Sequence, residues 1–151
     1  TTLPLASTRA MPSFGPFSLK LSGQIQKRDG FDLAMAVTPP TPRRGLMLID
    51  PSYEVKADYQ TIPKLIGQVA RKWNVGAVFL WYPLLTEGAH GPMIKALLEA
   101  FPDSIKHELR FPPVRDGHRM IGTGMWMLNP PYGIAEECAR LDRLFATIAK
   151  A

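Results

Sequence analysis

The sequence predicts an α/β fold built on one open sheet whose last two strands run antiparallel. Two patterns predict it. Apolar runs that stop at turn residues, Leu46 to Ile49 and Val75 to Tyr82, alternate with stretches of helical period, from Asp58 or Thr61 to about Trp73 and from Pro92 to Phe101. Such alternation gives strands joined by crossover helices. Two further strand patterns, Ser104 to Phe111 and Met120 to Leu128, then follow with no helical stretch between them, and strands joined directly pair antiparallel. At 151 residues, 46% hydrophobic and 21% charged, the chain can bury one such core and is too short for two.

Thr1 to about Gly15 is rich in Pro, Ser, Thr and Gly without a period, which makes residues 1–16 an irregular tail and residues 17–151 the domain. Phe17 to Gln26 alternates through Phe17, Leu19, Leu21 and Ile25, as a strand does. Asp29-Gly30-Phe31 reads as a turn, and Phe31 to Val37 as a short helix. Thr38-Pro39-Pro40-Thr41-Pro42 stops it, because proline cannot continue a helix. Arg43-Arg44 leads into the strand Leu46 to Ile49. In the next helix Ile62, Leu65, Ile66, Val69 and Trp73 form the apolar stripe, and Pro63 fits only if it lies in the first turn. Asn74 and Pro83 bound the following strand. Met93, Leu97 and Ala100 face inward on the helix Pro92 to Phe101, Ser104 to Phe111 alternates as an edge or antiparallel strand, and Ile134 to Ala149 is a final amphipathic helix.

Composition narrows the function. A net charge of +5 and a pI near 9.6 suit a polyanionic partner, although many soluble proteins carry such a surface. The single cysteine, Cys138, excludes an internal disulfide, and no Cys/His cluster has zinc spacing, so a metal-free cytoplasmic protein is expected. No apolar run approaches the roughly 20 residues that span a membrane. The first residues lack a charged region followed by an apolar core, so no signal peptide is expected.

The strand Gly45-Leu46-Met47-Leu48-Ile49 ends in Asp50-Pro51-Ser52-Tyr53, whose residue types suit addition of a carbon to the exocyclic amine of a flipped base. An adenine N6 amine is a poor nucleophile, since its lone pair is delocalised into the ring. Two acceptors that hold both N–H groups let the nitrogen turn pyramidal. Asp50 supplies a carboxylate, and Pro51 a backbone carbonyl whose direction its ring restricts. Tyr53 supplies an aromatic face for the extruded base, which recovers part of the few kcal/mol spent on unstacking. An ordinary Asp-Pro turn is the plainer reading. The position of the motif, at the carboxyl end of an apolar strand with a helical stretch following, is where open α/β sheets bind ligands. Asn129-Pro130-Pro131-Tyr132 also ends an apolar strand, and an asparagine carbonyl can accept from an amine. It lies on the last strand, whereas strand and helix units still follow Asp50. Trp81 and Tyr82 can line a base pocket or belong to the core. Arg110, Arg115 and Arg119 around Pro112-Pro113 form a basic loop able to touch phosphates, or an ordinary charged surface.

The run from Arg43-Arg44-Gly45 through Asp50-Pro51-Ser52-Tyr53 to Asp58-Tyr59, with Leu80-Trp81-Tyr82-Pro83 and Gly122-Thr123-Gly124-Met125 leading to Asn129-Pro130-Pro131-Tyr132, resembles the bacterial 23S ribosomal RNA (adenine-N6) methyltransferase family over about Ile25 to Ala151. The resemblance implies a class I S-adenosylmethionine-dependent methyltransferase sheet of Rossmann-like type, whose last two strands are antiparallel. It implies S-adenosylmethionine as cofactor and 23S ribosomal RNA, free of ribosomal proteins, as partner. It makes Asp50 the catalytic acidic residue, with Pro51 and Tyr53 beside it. Asp29-Gly30 matches a pair that contacts the cofactor's adenine, with the Asp29 carboxylate accepting from its amine and Gly30 allowing close approach; from the residues alone Asp29-Gly30 is equally a turn dipeptide. No Gly-rich loop of the kind that follows the first strand in this class stands before Asp29. The expectation is therefore the C-terminal part of a methyltransferase domain, truncated at its N-terminus, as a fragment or as a shortened descendant. Such a half sheet exposes an apolar edge, which predicts self-association. A DNA adenine methyltransferase and a catalytically silent RNA-binding module remain as alternatives.

Overall fold

The computed structural model describes residues 25–111, 115 and 117–148. In chain order the elements are α1 (Gly30–Val37), β1 (Leu46–Ile49), α2 (Asp58–Lys72), β2 (Ala77–Leu85), α3 (Gly91–Ala100), β3 (Ile105–Arg110), β4 (Met120–Leu128) and α4 (Ile134–Ile148). The strands form one sheet in the order β1-β2-β4-β3. β1 and β2 are parallel, while β4 is antiparallel to both β2 and β3. β4, the last strand among the described residues, thus lies inside the sheet, with β1 and β3 at its edges there.

The core lies on one face. Val78, Leu80, Tyr82 and Leu84 of β2 alternate inward and are fully buried, opposite Ile62, Leu65, Ile66 and Val69 of α2 and Met93, Ile94 and Leu97 of α3. Trp126 and Leu128 of β4 complete it. In the parallel register Met47 and Ile49 share this face with Val78 and Leu80, which leaves Leu46 and Leu48 on the other. Both are 60% exposed. The other side of β1 pairs with no strand among the described residues.

Three details differ from the sequence expectations. Asp29-Gly30 is no free turn: Asp29 caps α1, its Oδ1 accepting from the N–H groups of Phe31 at 2.9 Å and Asp32 at 3.0 Å, so the helix begins at Gly30. A side-chain acceptor before a helical stretch satisfies donors that a helix start leaves orphaned. Pro63 stands in the second turn of α2, where its missing N–H leaves the Tyr59 carbonyl without the donor four residues on. β2 continues through Pro83 to Leu85. β1 ends opposite Leu80, so among the described residues Pro83 lies where β2 has one neighbour, and a proline there costs no ladder bond on the other side. The expected strand Phe17 to Gln26 falls almost wholly outside the described residues, and Ile25 and Gln26 are not in a strand.

Candidate active site

Asp50-Pro51-Ser52-Tyr53 follows β1 directly and leads into α2. Asp50 is exposed. Tyr53 has φ 58, a left-handed conformation uncommon for a bulky residue. It persists because the ring is tied down: its hydroxyl donates to the Trp81 carbonyl at 2.5 Å, and the ring lies in tilted contact with Tyr59, with centroids 5.0 Å apart, and with Trp81, at 6.2 Å. Burial, with Tyr59 and then Asp50 nearby, pushes the Tyr53 phenol well above its ordinary range. It remains a donor at any working pH. Backbone strain fixed by surrounding structure in this way concentrates at functional sites.

The motif stands between two cavities. Asp50 and Pro51 line one of about 330 Å³ together with Gly30, Phe31 and Ala34 of α1 and with Met47 to Ile49. Tyr53 and Glu54 line the other, a groove of about 950 Å³ floored by Pro63, Leu85 and Met93. The fold therefore brings Gly30 of the Asp29-Gly30 pair to the cavity that Asp50 and Pro51 border. The Asp29 side chain itself is engaged in capping through Oδ1, which leaves Oδ2 as an acceptor.

Asn129 is placed differently. It has φ 49, and its side-chain NH2 donates to the carbonyls of Asn74 and Gly76, both at 3.0 Å. It thus clamps the end of β4 to the turn before β2. We expect Asn129→Ala to lower stability by about 2 kcal/mol, through the part-buried Gly76 carbonyl left unpaired and a positive φ without an amide side chain. Urea denaturation checks this, with Asn129→Gly separating the contribution of φ from that of the hydrogen bonds.

The other residues singled out in the sequence divide. Tyr82 is buried, and its hydroxyl donates to Glu108 at 3.1 Å, which makes it a core residue. Trp81, on the opposite face, donates through Nε1 to Thr123 at 2.6 Å and supports Tyr53 through its carbonyl. Of the three arginines, Arg119 pairs with Glu87 at 2.7 Å and Arg110 with Glu108 at 3.8 Å, while Arg115 is exposed. Sequence reasoning assigned no role to Tyr59, Lys56 or Lys64, which line the larger groove. Their spacing from Tyr53 carried a signal only once α2 was known to begin at Asp58 and to turn its first residues toward the β2 end.

Comparisons with known proteins bear on the family and the fold of the chain. The sequence model of the family described as "Ribosomal RNA large subunit methyltransferase D, RlmJ" matches residues 17–151. Ribosomal RNA large subunit methyltransferase J of Escherichia coli (strain K12) is 35% identical over 115 residues, 76% of this chain and 41% of that protein. The protein of the same name from Haemophilus influenzae is 35% identical over 105 residues, 69% of this chain and 37% of its own length. The crystal structure of protein LPL1258 from Legionella pneumophila superposes with a TM-score of 0.73 at 32% identity, covering 81% of this chain and 45% of that one. The chain thus spans about two fifths of the length of the curated relatives it matches. Its four strands, with the antiparallel pair at the end of the chain, form part of the α/β sheet of an S-adenosylmethionine-dependent methyltransferase fold. By its match to the family model and its identity to these relatives, the chain belongs to the ribosomal RNA large subunit methyltransferase D (RlmJ) family.

Proposed function

We propose that this chain carries the amine-gripping part of an S-adenosylmethionine-dependent enzyme that methylates N6 of an adenine in 23S ribosomal RNA. The observation that carries the reading is the position of Asp50-Pro51-Ser52-Tyr53 between two cavities, Asp50 and Pro51 bordering one and Tyr53 the other. A cofactor and a base held on opposite sides of the motif would meet at the Asp50 carboxylate. Asp50 and the Pro51 carbonyl accept the two N–H groups of N6, which turns its lone pair toward the attacking direction. Tyr53, unable to swing because its hydroxyl is bound to Trp81, fixes the plane of the base. The amine proton is lost after attack, toward Asp50. Catalysis on this reading is mostly positioning of acceptors before reaction.

The residues present fit the adenine end of S-adenosylmethionine. A side chain at Gly30 would meet nothing within 4 Å, so open space adjoins the backbone where it lines the smaller cavity, Phe31 offers an aromatic wall, and the Asp29 Oδ2 can accept from an amine. The cofactor supplies an electrophilic methyl group on its sulfonium. Gly30→Ala tests the fit. Alanine favours the helix start, so the melting temperature should stay level or rise slightly, by the equivalent of about 0.5 kcal/mol, while S-adenosylmethionine affinity measured by isothermal titration should fall. Unchanged affinity would remove Gly30 from the cofactor site. Asp29→Ala weakens binding too, but also uncaps α1.

Substrate class is tested by tritium transfer from labelled S-adenosylmethionine to deproteinised ribosomal RNA and to duplex DNA. Label in 23S RNA alone supports the proposal. Label in DNA would replace it with a DNA adenine methyltransferase, and label in neither, with RNA still bound, with a silent RNA-binding module.

A further inference from the structure

Resting on the RNA methyltransferase reading, we propose that the larger groove seats a nucleotide adjoining the methylated adenine on the same single strand, with Tyr59 as its stacking platform and Lys56 and Lys64 as its phosphate contacts. Four observations support it. At about 950 Å³ the groove lies at the upper end of the range of about 300–1,000 Å³ that holds drug-sized ligands, and one flipped base would leave much of it empty. Its aromatic wall continues from the motif: the Tyr59 ring lies 5.0 Å from that of Tyr53, tilted by 39°, so two adjoining bases would each meet a ring. Among the described residues neither Lys56 nor Lys64 is ion-paired, and both line the groove, whereas Glu87 on the same wall is neutralised by Arg119 at 2.7 Å. Glu54 is the remaining acid there, so the lining is net basic.

The fourth observation is the backbone at Tyr59. Pro63, six residues into α2 and on the groove wall, has no N–H for the Tyr59 carbonyl. That oxygen is an acceptor for a base amine or a ribose 2′-hydroxyl, the group that separates RNA from DNA. Stacking needs no particular base, so the subsite would hold the strand in register while Asp50 acts on its neighbour.

The experiment is fluorescence anisotropy of the purified protein with a labelled single-stranded pentaribonucleotide centred on adenine. The same oligomer is also used with an abasic residue on either side of the adenine in turn. Tyr59→Ala should weaken binding about tenfold, and Tyr59→Phe, which keeps the ring and the fold, should not. One of the two abasic oligomers should bind the unsubstituted protein as weakly as the intact oligomer binds Tyr59→Ala, and should be insensitive to that substitution. Lys64→Gln, at an exposed position, should reduce the slope of log affinity against log salt by about 0.7. Equal affinity of Tyr59→Ala and the unsubstituted protein, a loss that persists with both abasic oligomers, or no binding of the RNA would each overturn the proposal. If ribosomal RNA is methylated while Tyr59→Ala binds normally, the subsite alone falls. If the label enters duplex DNA instead, the RNA reading falls with it.

Discussion

Asp50→Ala is expected to reduce methyl transfer to ribosomal RNA by at least a factor on the order of 10²–10³, the usual consequence of deleting one preorganised polar group at a reacting centre, while RNA affinity changes little. The two halves of that result have different sources. Affinity for RNA comes mainly from phosphate contacts and stacking, and Asp50, exposed at the end of a strand, belongs to neither. The rate depends on the N6 lone pair, which the carboxylate and the Pro51 carbonyl free together. Because Asp50 is exposed, its removal leaves no cavity and no buried unpaired partner, so the melting temperature should hold. Asp50→Asn is the sharper variant: it keeps one oxygen acceptor but loses the charge that receives the proton, and should retain a measurable part of the rate. Turnover by Asp50→Ala equal to that of the unsubstituted protein would remove Asp50 from the reaction.

Gly124→Ala should be strongly destabilising for a change of one methyl group. Tyr82, Gly124 and Glu108 form one row across β2, β4 and β3. The Tyr82 side chain crosses β4 over Gly124 to donate to Glu108 at 3.1 Å, and a Cβ at position 124 would overlap its ring. The ring cannot step aside, since it is fully buried and stacks on His90 with centroids 5.5 Å apart. Overpacking costs about 1–3 kcal/mol in general. Here the displaced ring also gives up its bond to Glu108, so a loss of about 3 kcal/mol and a fall in melting temperature of roughly 10 °C are expected. A smaller residue at 82 should restore part of that loss, which makes the double substitution Gly124→Ala with Tyr82→Leu less harmful than the two single effects added. Additivity would mean that the two positions do not share the space.

Much of this architecture was legible because the apolar periods are strong and their ends are marked. Leu46 to Ile49 stops at Asp50-Pro51, the stripe of α2 runs from Ile62 to Trp73, and Met120 to Leu128 is bounded as observed. What sequence could not show depended on neighbours in space. Pro83 looks like a strand end until the shortness of β1 is known. Pro63 looks confined to a first turn until Asp58 is seen to open the helix. At the site, residue chemistry marked Asp50, Pro51 and Tyr53. Tyr59 stayed hidden because its contact with Tyr53 is a product of the turn at φ 58, which a tyrosine does not announce. Gly122 and Gly124 were visible as a run, but their use, as room for Leu84 and Tyr82 crossing from β2, needed the register.

The four residues of β1 have a kinetic meaning. Held, among the described residues, by a single ladder and carrying two leucines that are 60% exposed, this strand should open before the rest of the sheet, so its amides should exchange with solvent sooner than those of β4, which is bonded on both sides. The acceptors of Asp50 and Pro51 ride on the end of that strand. Whatever lies along the free side of β1 would therefore damp the motion of the acceptors as well as cover the leucines. Turnover could then be raised or lowered by a contact that never touches a substrate.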